Sequence, residues 1–69
     1  MTSREPEIAT MRQVVDALAD LYTDDGVAIW LDSPNRMLQG QRGIDVCRTA
    51  EGRYRVYALA QALADGAFA

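Results

Sequence analysis

Histidine and lysine are both absent from this 69-residue chain, and cysteine occurs once. Without His, the usual general base, the commonest metal ligand and the physiological-pH switch are all missing. A lone Cys47 forms neither an internal disulfide nor a thiolate zinc cage, and with no His beside it the expected state is a buried structural thiol. No apolar run approaches the roughly 20 residues that cross a bilayer. The first residues, Met1-Thr2-Ser3-Arg4-Glu5-Pro6-Glu7, lack the apolar core of a secretory signal. The acidic residues do not alternate as in a calcium loop. These absences predict a soluble cytoplasmic protein that has no metal, cofactor or membrane partner and is not an enzyme.

What is present reads as a single small domain over residues 1–69. Apolar residues make up 49% and charged residues 25%, a globular composition rather than a disordered one. A domain this short leaves much of its surface uncovered, and no disulfide or metal staples it. A partner chain, another protein or a second copy, is the expected source of the missing burial. The net charge is −3, unevenly spread. Residues 1–34 set Arg4 and Arg12 against seven carboxylates, giving −5. Residues 35–69 set Arg36, Arg42, Arg48, Arg53 and Arg55 against three, giving +2. The second half is a candidate interaction face, or a solvated surface with internal ion pairs.

The spacing predicts an all-α fold: a small bundle with long first and last helices and two or three short ones between residues 24 and 49. Ile8, Met11, Val14, Val15, Leu18, Leu21 and Tyr22 recur at three and four, one apolar stripe at helical period. Pro6, Glu5 and Glu7 suit its first turn. Val27-Ala28-Ile29-Trp30-Leu31 fits either a buried strand or a short helix capped by Asp24 or Asp25. Ser33-Pro34 reads as an N-cap followed by a first helical residue. Thr49 is a candidate N-cap for a last helix over about residues 49–65, with Val56, Leu59, Ala60 and Leu63 on one face and Glu51 spaced to pair with Arg55. Gly66 reads as the glycine that ends it. Trp30, Leu31 and Leu38 are expected in the core, Trp30 against the first and last helices. Tyr54 and Tyr57 flank the buried stripe.

Gly40-Gln41-Arg42-Gly43 has the G-x-x-G spacing with which KH domains clamp a nucleic-acid backbone. Such a domain also needs a three-stranded sheet, and only residues 27–31 offer a strand. The competing reading ends one short helix at Gly40 and begins another at Gly43. A small nucleic-acid-binding or repressor-remnant module is therefore the alternative function, although the negative net charge argues against DNA.

The order Ile29-Trp30-Leu31, Pro34-Asn35, Leu38-x-Gly40, Ile44, Thr49, Glu51-Gly52, Val56, Leu59 and Gly66 resembles the C-terminal toxin-binding domain of the MbcA/ParS/Xre antitoxin family. The likeness covers about residues 24–69, with residues 1–23 as a lead-in helix. It implies that Val27–Leu31 is helical. It also implies a type II antitoxin whose partner is a RES-domain toxin that consumes NAD, and which the antitoxin closes with its C-terminal end while binding no NAD itself. Relatives usually carry a helix-turn-helix domain ahead of this region, which the single lead-in helix does not supply. Many also have Pro where this chain has Gly43. On this resemblance Arg36, Arg42, Arg53 and Arg55 are expected at the toxin rim, and Gly66, Ala67, Phe68 and Ala69 as the plug.

Overall fold

A computed structural model describes residues 9–66. The expectations placed on Glu5, Pro6, Glu7, Ile8, Ala67, Phe68 and Ala69 lie outside the described residues. The first helix is started by Thr10, whose backbone is extended (φ −87°, ψ 162°). Its Oγ1 accepts a bond from the Gln13 N–H (3.2 Å) and its own N–H donates to Gln13 Oε1 (2.9 Å), a reciprocal capping box. Helix α1 spans Met11–Ala19. The stripe from residue 8 to residue 22 overstated it, because the N–H groups of Leu21 and Tyr22 both turn back to the Leu18 carbonyl.

Helix α2 spans Asp24–Asp32, so the ambiguous run Val27–Leu31 is helical. Thr23 Oγ1 caps it through the Gly26 N–H at 3.2 Å, leaving Asp24 and Asp25 in the first turn beside the positive end of the helix dipole. Ser33 does not start a new helix, as expected, but ends this one. Its Oγ donates back to the Ile29 carbonyl (2.7 Å) and its backbone is extended. Pro34 then opens strand β1 (Pro34–Asn35), paired antiparallel with β2 (Gln41–Arg42). An edge strand tolerates the missing Pro N–H.

Between the strands lies a 3-10 turn, Arg36–Leu38, capped by Asn35 Oδ1 accepting from the Met37 N–H (2.8 Å). Gln39 and Gly40 both take left-handed backbone (φ 60° and 83°), which returns the chain to β2. Helix α3 is the single turn Gly43–Val46, and α4 spans Ala50–Ala64. Thr49 Oγ1 accepts from the Gly52 N–H (2.9 Å), as expected, and Gly66 follows α4 at φ 76°. The described residues are thus mostly helical with a small two-stranded ladder, rather than a plain helical bundle.

Helix α1 lies along α4, where Val14, Leu18 and Val56 are completely buried. Val27, Leu31, Leu38, Val46, Cys47 and Ala60 extend this core through the other elements. Two glycines allow close packing. A Cβ on Gly52 would fall on the Val46 carbonyl, so the first turn of α4 sits directly on the end of α3. A Cβ on Gly43 would stand 2.8 Å from Trp30 Cζ3 and 3.1 Å from Leu31 Cδ2. Gly43 thus makes room for Trp30, where Pro would collide with it. Trp30 is half-buried and packed on the core edge over Gly43, not enclosed as expected.

Candidate functional site

Helix α4 has one buried face and a mixed outward side. Gly52, Val56 and Ala60 form the buried face. At 100° per residue, Tyr54 and Ala58 lie on the opposite side with Glu51 beside them, Ala62 lies at its border, and Leu59, 60° from Val56, packs against the core. The side that carries Tyr54 and Ala58 looks outward. With Met37 and Leu38 of the 3-10 turn it lines a groove of about 360 Å³. Met37 is 51% exposed and Tyr54 45%. Arg55 is the one charged residue that lines the groove, and Arg36 precedes Met37.

The five Arg of the second half divide by what they touch. Arg42 donates from Nε and Nη2 to Asp45 (3.0 and 3.2 Å) and from Nη1 to Asp32 (2.8 Å), fastening β2 to α2 and α3. Those hydrogen bonds hold the Asp45 carboxyl below its usual range. Arg53 points inward. Its Nε donates to the Ala9 carbonyl (2.9 Å) and its Nη1 to the Cys47 carbonyl (3.1 Å). Arg36, Arg48 and Arg55 are exposed and form no ion pair among the described residues, so the Glu51–Arg55 pair expected from i,i+4 spacing does not form. Of the four Arg expected at a partner's rim, the structure thus leaves Arg36 and Arg55 available and commits Arg42 and Arg53 to the fold.

The remaining sequence-derived positions are mainly structural. Leu31 and Leu38 are buried, Asn35 caps the 3-10 turn, and Pro34 starts β1. Cys47 is buried, and desolvation raises its thiol pKa against the opposing effect of Arg53. The Gly40–Gly43 segment contains β2, whose sheet has two strands rather than three, and its Arg42 is held by carboxylates, which does not fit a nucleic-acid clamp. Among the described residues no group of His, Cys, Asp or Glu converges as a metal site, and no helix is long and apolar enough to cross a membrane. A second cleft, between α1 and α4, is polar and acidic, lined by Gln13, Asp16, Asp20, Tyr57 and Gln61 among others.

The sequence reading missed the groove. Tyr54, Ala58 and Ala62 recur every four residues on the outward side of α4, but Met37 and Leu38 are brought beside them by tertiary packing.

Residues 17–66 match the family described as the antitoxin Xre/MbcA/ParS C-terminal toxin-binding domain. The mycobacterial cidal antitoxin MbcA of Mycobacterium tuberculosis is 42% identical over 55 residues, covering 80% of this chain and 48% of that protein. The protein of the same name from Mycobacterium bovis matches equally. A probable mycobacterial cidal antitoxin of M. tuberculosis is 39% identical over 66 residues, 94% of this chain and 56% of that protein. The chain spans about half the length of the curated relatives it matches. No solved structure matches.

Proposed function

We propose that this chain, which belongs to the Xre/MbcA/ParS antitoxin family through its C-terminal toxin-binding domain, binds a RES-domain toxin in the cytoplasm and blocks its consumption of NAD. The observation that carries this reading is the family match over residues 17–66, which takes in α2, both strands, α3 and α4. The geometry supports a binding role. The described residues hold an exposed apolar groove with an arginine at its edge, and two further Arg sit on the same half of the chain without ion-pair partners there. Binding by such a surface needs no cofactor.

Occlusion is assigned to residues 67–69, which lie outside the described residues. Gly66, with its left-handed backbone, is the point at which the chain leaves the axis of α4. The whole chain is treated as one domain, with residues 1–23 leading into the toxin-binding region at 24–69.

Co-expression tests this directly. A bacterial host carrying an inducible RES-domain toxin should lose viability and cellular NAD when the toxin is induced alone, and keep both when this chain is present. Removing residues 67–69 should leave the complex detectable while NAD loss returns. If the full chain neither binds nor rescues against RES-domain toxins of its own genome, the reading is wrong.

A further inference from the structure

We propose that α1 is a strap rather than a lead-in: the unit that folds as the toxin-binding region begins at Ala9, and Arg53 of α4 fastens α1 to it. The name of that region rests on the reading above; the folding claim does not. The family match begins at residue 17 and takes in only Ala17, Leu18 and Ala19 of α1. The structure draws the boundary earlier. Among the described residues, two of the three largest completely buried side chains, Val14 and Leu18, stand on α1. The third is Val56 of α4, the helix that α1 chiefly packs against. The buried face of α4 is Gly52, Val56 and Ala60. Two of those residues are small, so the bulk that fills the core there comes from α1. Ala9, ahead of α1, is itself buried.

Arg53 joins the ends. From the first turns of α4 its guanidinium donates through Nε to the Ala9 carbonyl (2.9 Å), ahead of α1, and through Nη1 to the Cys47 carbonyl (3.1 Å), at the end of α3. One planar cation thus ties the entry to α1 and the exit of α3 to the same helix. Helix α1 has nine residues, fewer than the roughly 12–15 that an isolated helix needs in water. Away from α4 it would not persist as a helix, and its departure would open Val56 and Ala60 to water. The two helices therefore form together and are lost together. Displacing α1 disarms the whole toxin-binding region instead of trimming its end.

Native-state hydrogen exchange on the isotope-labelled full chain, with no partner present, tests this. In the parent the Leu18 amide of α1 should be protected to within about tenfold of the Val56 and Ala60 amides of α4, because all three exchange through unfolding of one unit. Val14→Ala trims a completely buried side chain while improving helix propensity. It should speed exchange at Leu18, Val56 and Ala60 by a common factor of about tenfold or more. Arg53→Lys should also speed all three together, and it carries the comparison where Val14→Ala leaves too little folded chain to follow. A Leu18 amide that exchanges more than about tenfold faster than Val56 in the parent would overturn the proposal. So would variants that speed Leu18 and leave Val56 and Ala60 unchanged, the pattern of a helix that detaches alone. An Arg53→Lys chain that exchanges like the parent would remove Arg53 from the fastening. If the amides respond as one unit but no RES-domain toxin binds the chain, the strap stands and the toxin reading falls.

Discussion

Replacing Gly52 with Ala should destabilise the protein, although helix propensity alone predicts the opposite. In the interior of an exposed helix Ala is better than Gly by about 1 kcal/mol. At Gly52, however, the added methyl would overlap the Val46 carbonyl oxygen and stand 2.8 Å from its carbon and 3.0 Å from Thr49 Oγ1. An ordinary carbon–oxygen contact is about 3.3–3.6 Å, so the first turn of α4 must lift from α3 by on the order of 1 Å. The atom struck is backbone and cannot swing aside as a side chain does. The shift would also pull on the Thr49 cap and on Val56 and Ala60, both completely buried. Overpacking of this kind costs about 1–3 kcal/mol and more when backbone must move. We expect a net loss of about 2–3 kcal/mol from a total of roughly 3–10 for a chain of this length. The melting temperature should fall by about 10 °C or more. Thermal and urea melts followed by circular dichroism measure this, with Ala58→Gly on the exposed side of α4 as the reference for propensity. That control should lose up to about 1 kcal/mol. A Gly52→Ala variant as stable as the parent, or more so, would refute the close approach of α4 to α3.

Gly43→Ala should cost less, about 1–2 kcal/mol, because the group it meets is the half-exposed Trp30 ring, which can move. Trp fluorescence should shift to the red, and an unchanged spectrum would contradict the contact. Arg53→Lys should destabilise by about 2 kcal/mol, because an ammonium cannot span both the Ala9 and Cys47 carbonyls as the guanidinium does; equal denaturation midpoints would count against that role. The Arg42–Asp45 pair sets a pH dependence. The Asp45 carboxyl is lowered in the folded chain, chiefly by its hydrogen bonds to Arg42. Its contribution is therefore present above the ordinary Asp value of about 3.9 and is lost as pH falls through the lower folded value. Relative to Asp45→Asn, the parent should lose its stability advantage on acidification, and an advantage that grows toward low pH would be the wrong sign.

Much of the fold was legible because its signals are local. Thr49, Glu51 and Gly66 mark the ends of α4 by capping chemistry, and Val14 and Leu18 mark the buried face of α1 by period. Thr10 and Thr23 were overlooked beside stronger-looking starts at Pro6 and Asp24, since several adjacent residues can cap and only packing selects one. Ser33-Pro34 misled for a related reason. The same pair that opens a helix can close one when the Ser hydroxyl finds a carbonyl behind it. The β1–β2 ladder has too few residues to show alternation. Gly43 and Gly52 are set by tertiary contacts, which sequence spacing does not carry. For the site, the basic half of the chain was visible, but spacing could not tell Arg42 and Arg53, bound within the fold, from Arg36 and Arg55.

The most direct measurement of the central claim is a titration of NAD consumption. A purified RES-domain toxin from the same genome is mixed with increasing amounts of this chain, and NAD is followed with time. The account predicts that turnover falls linearly to near zero at equimolar chain, the behaviour of a tight stoichiometric blocker. Turnover that stays at the rate of the free toxin in the presence of excess chain would contradict it.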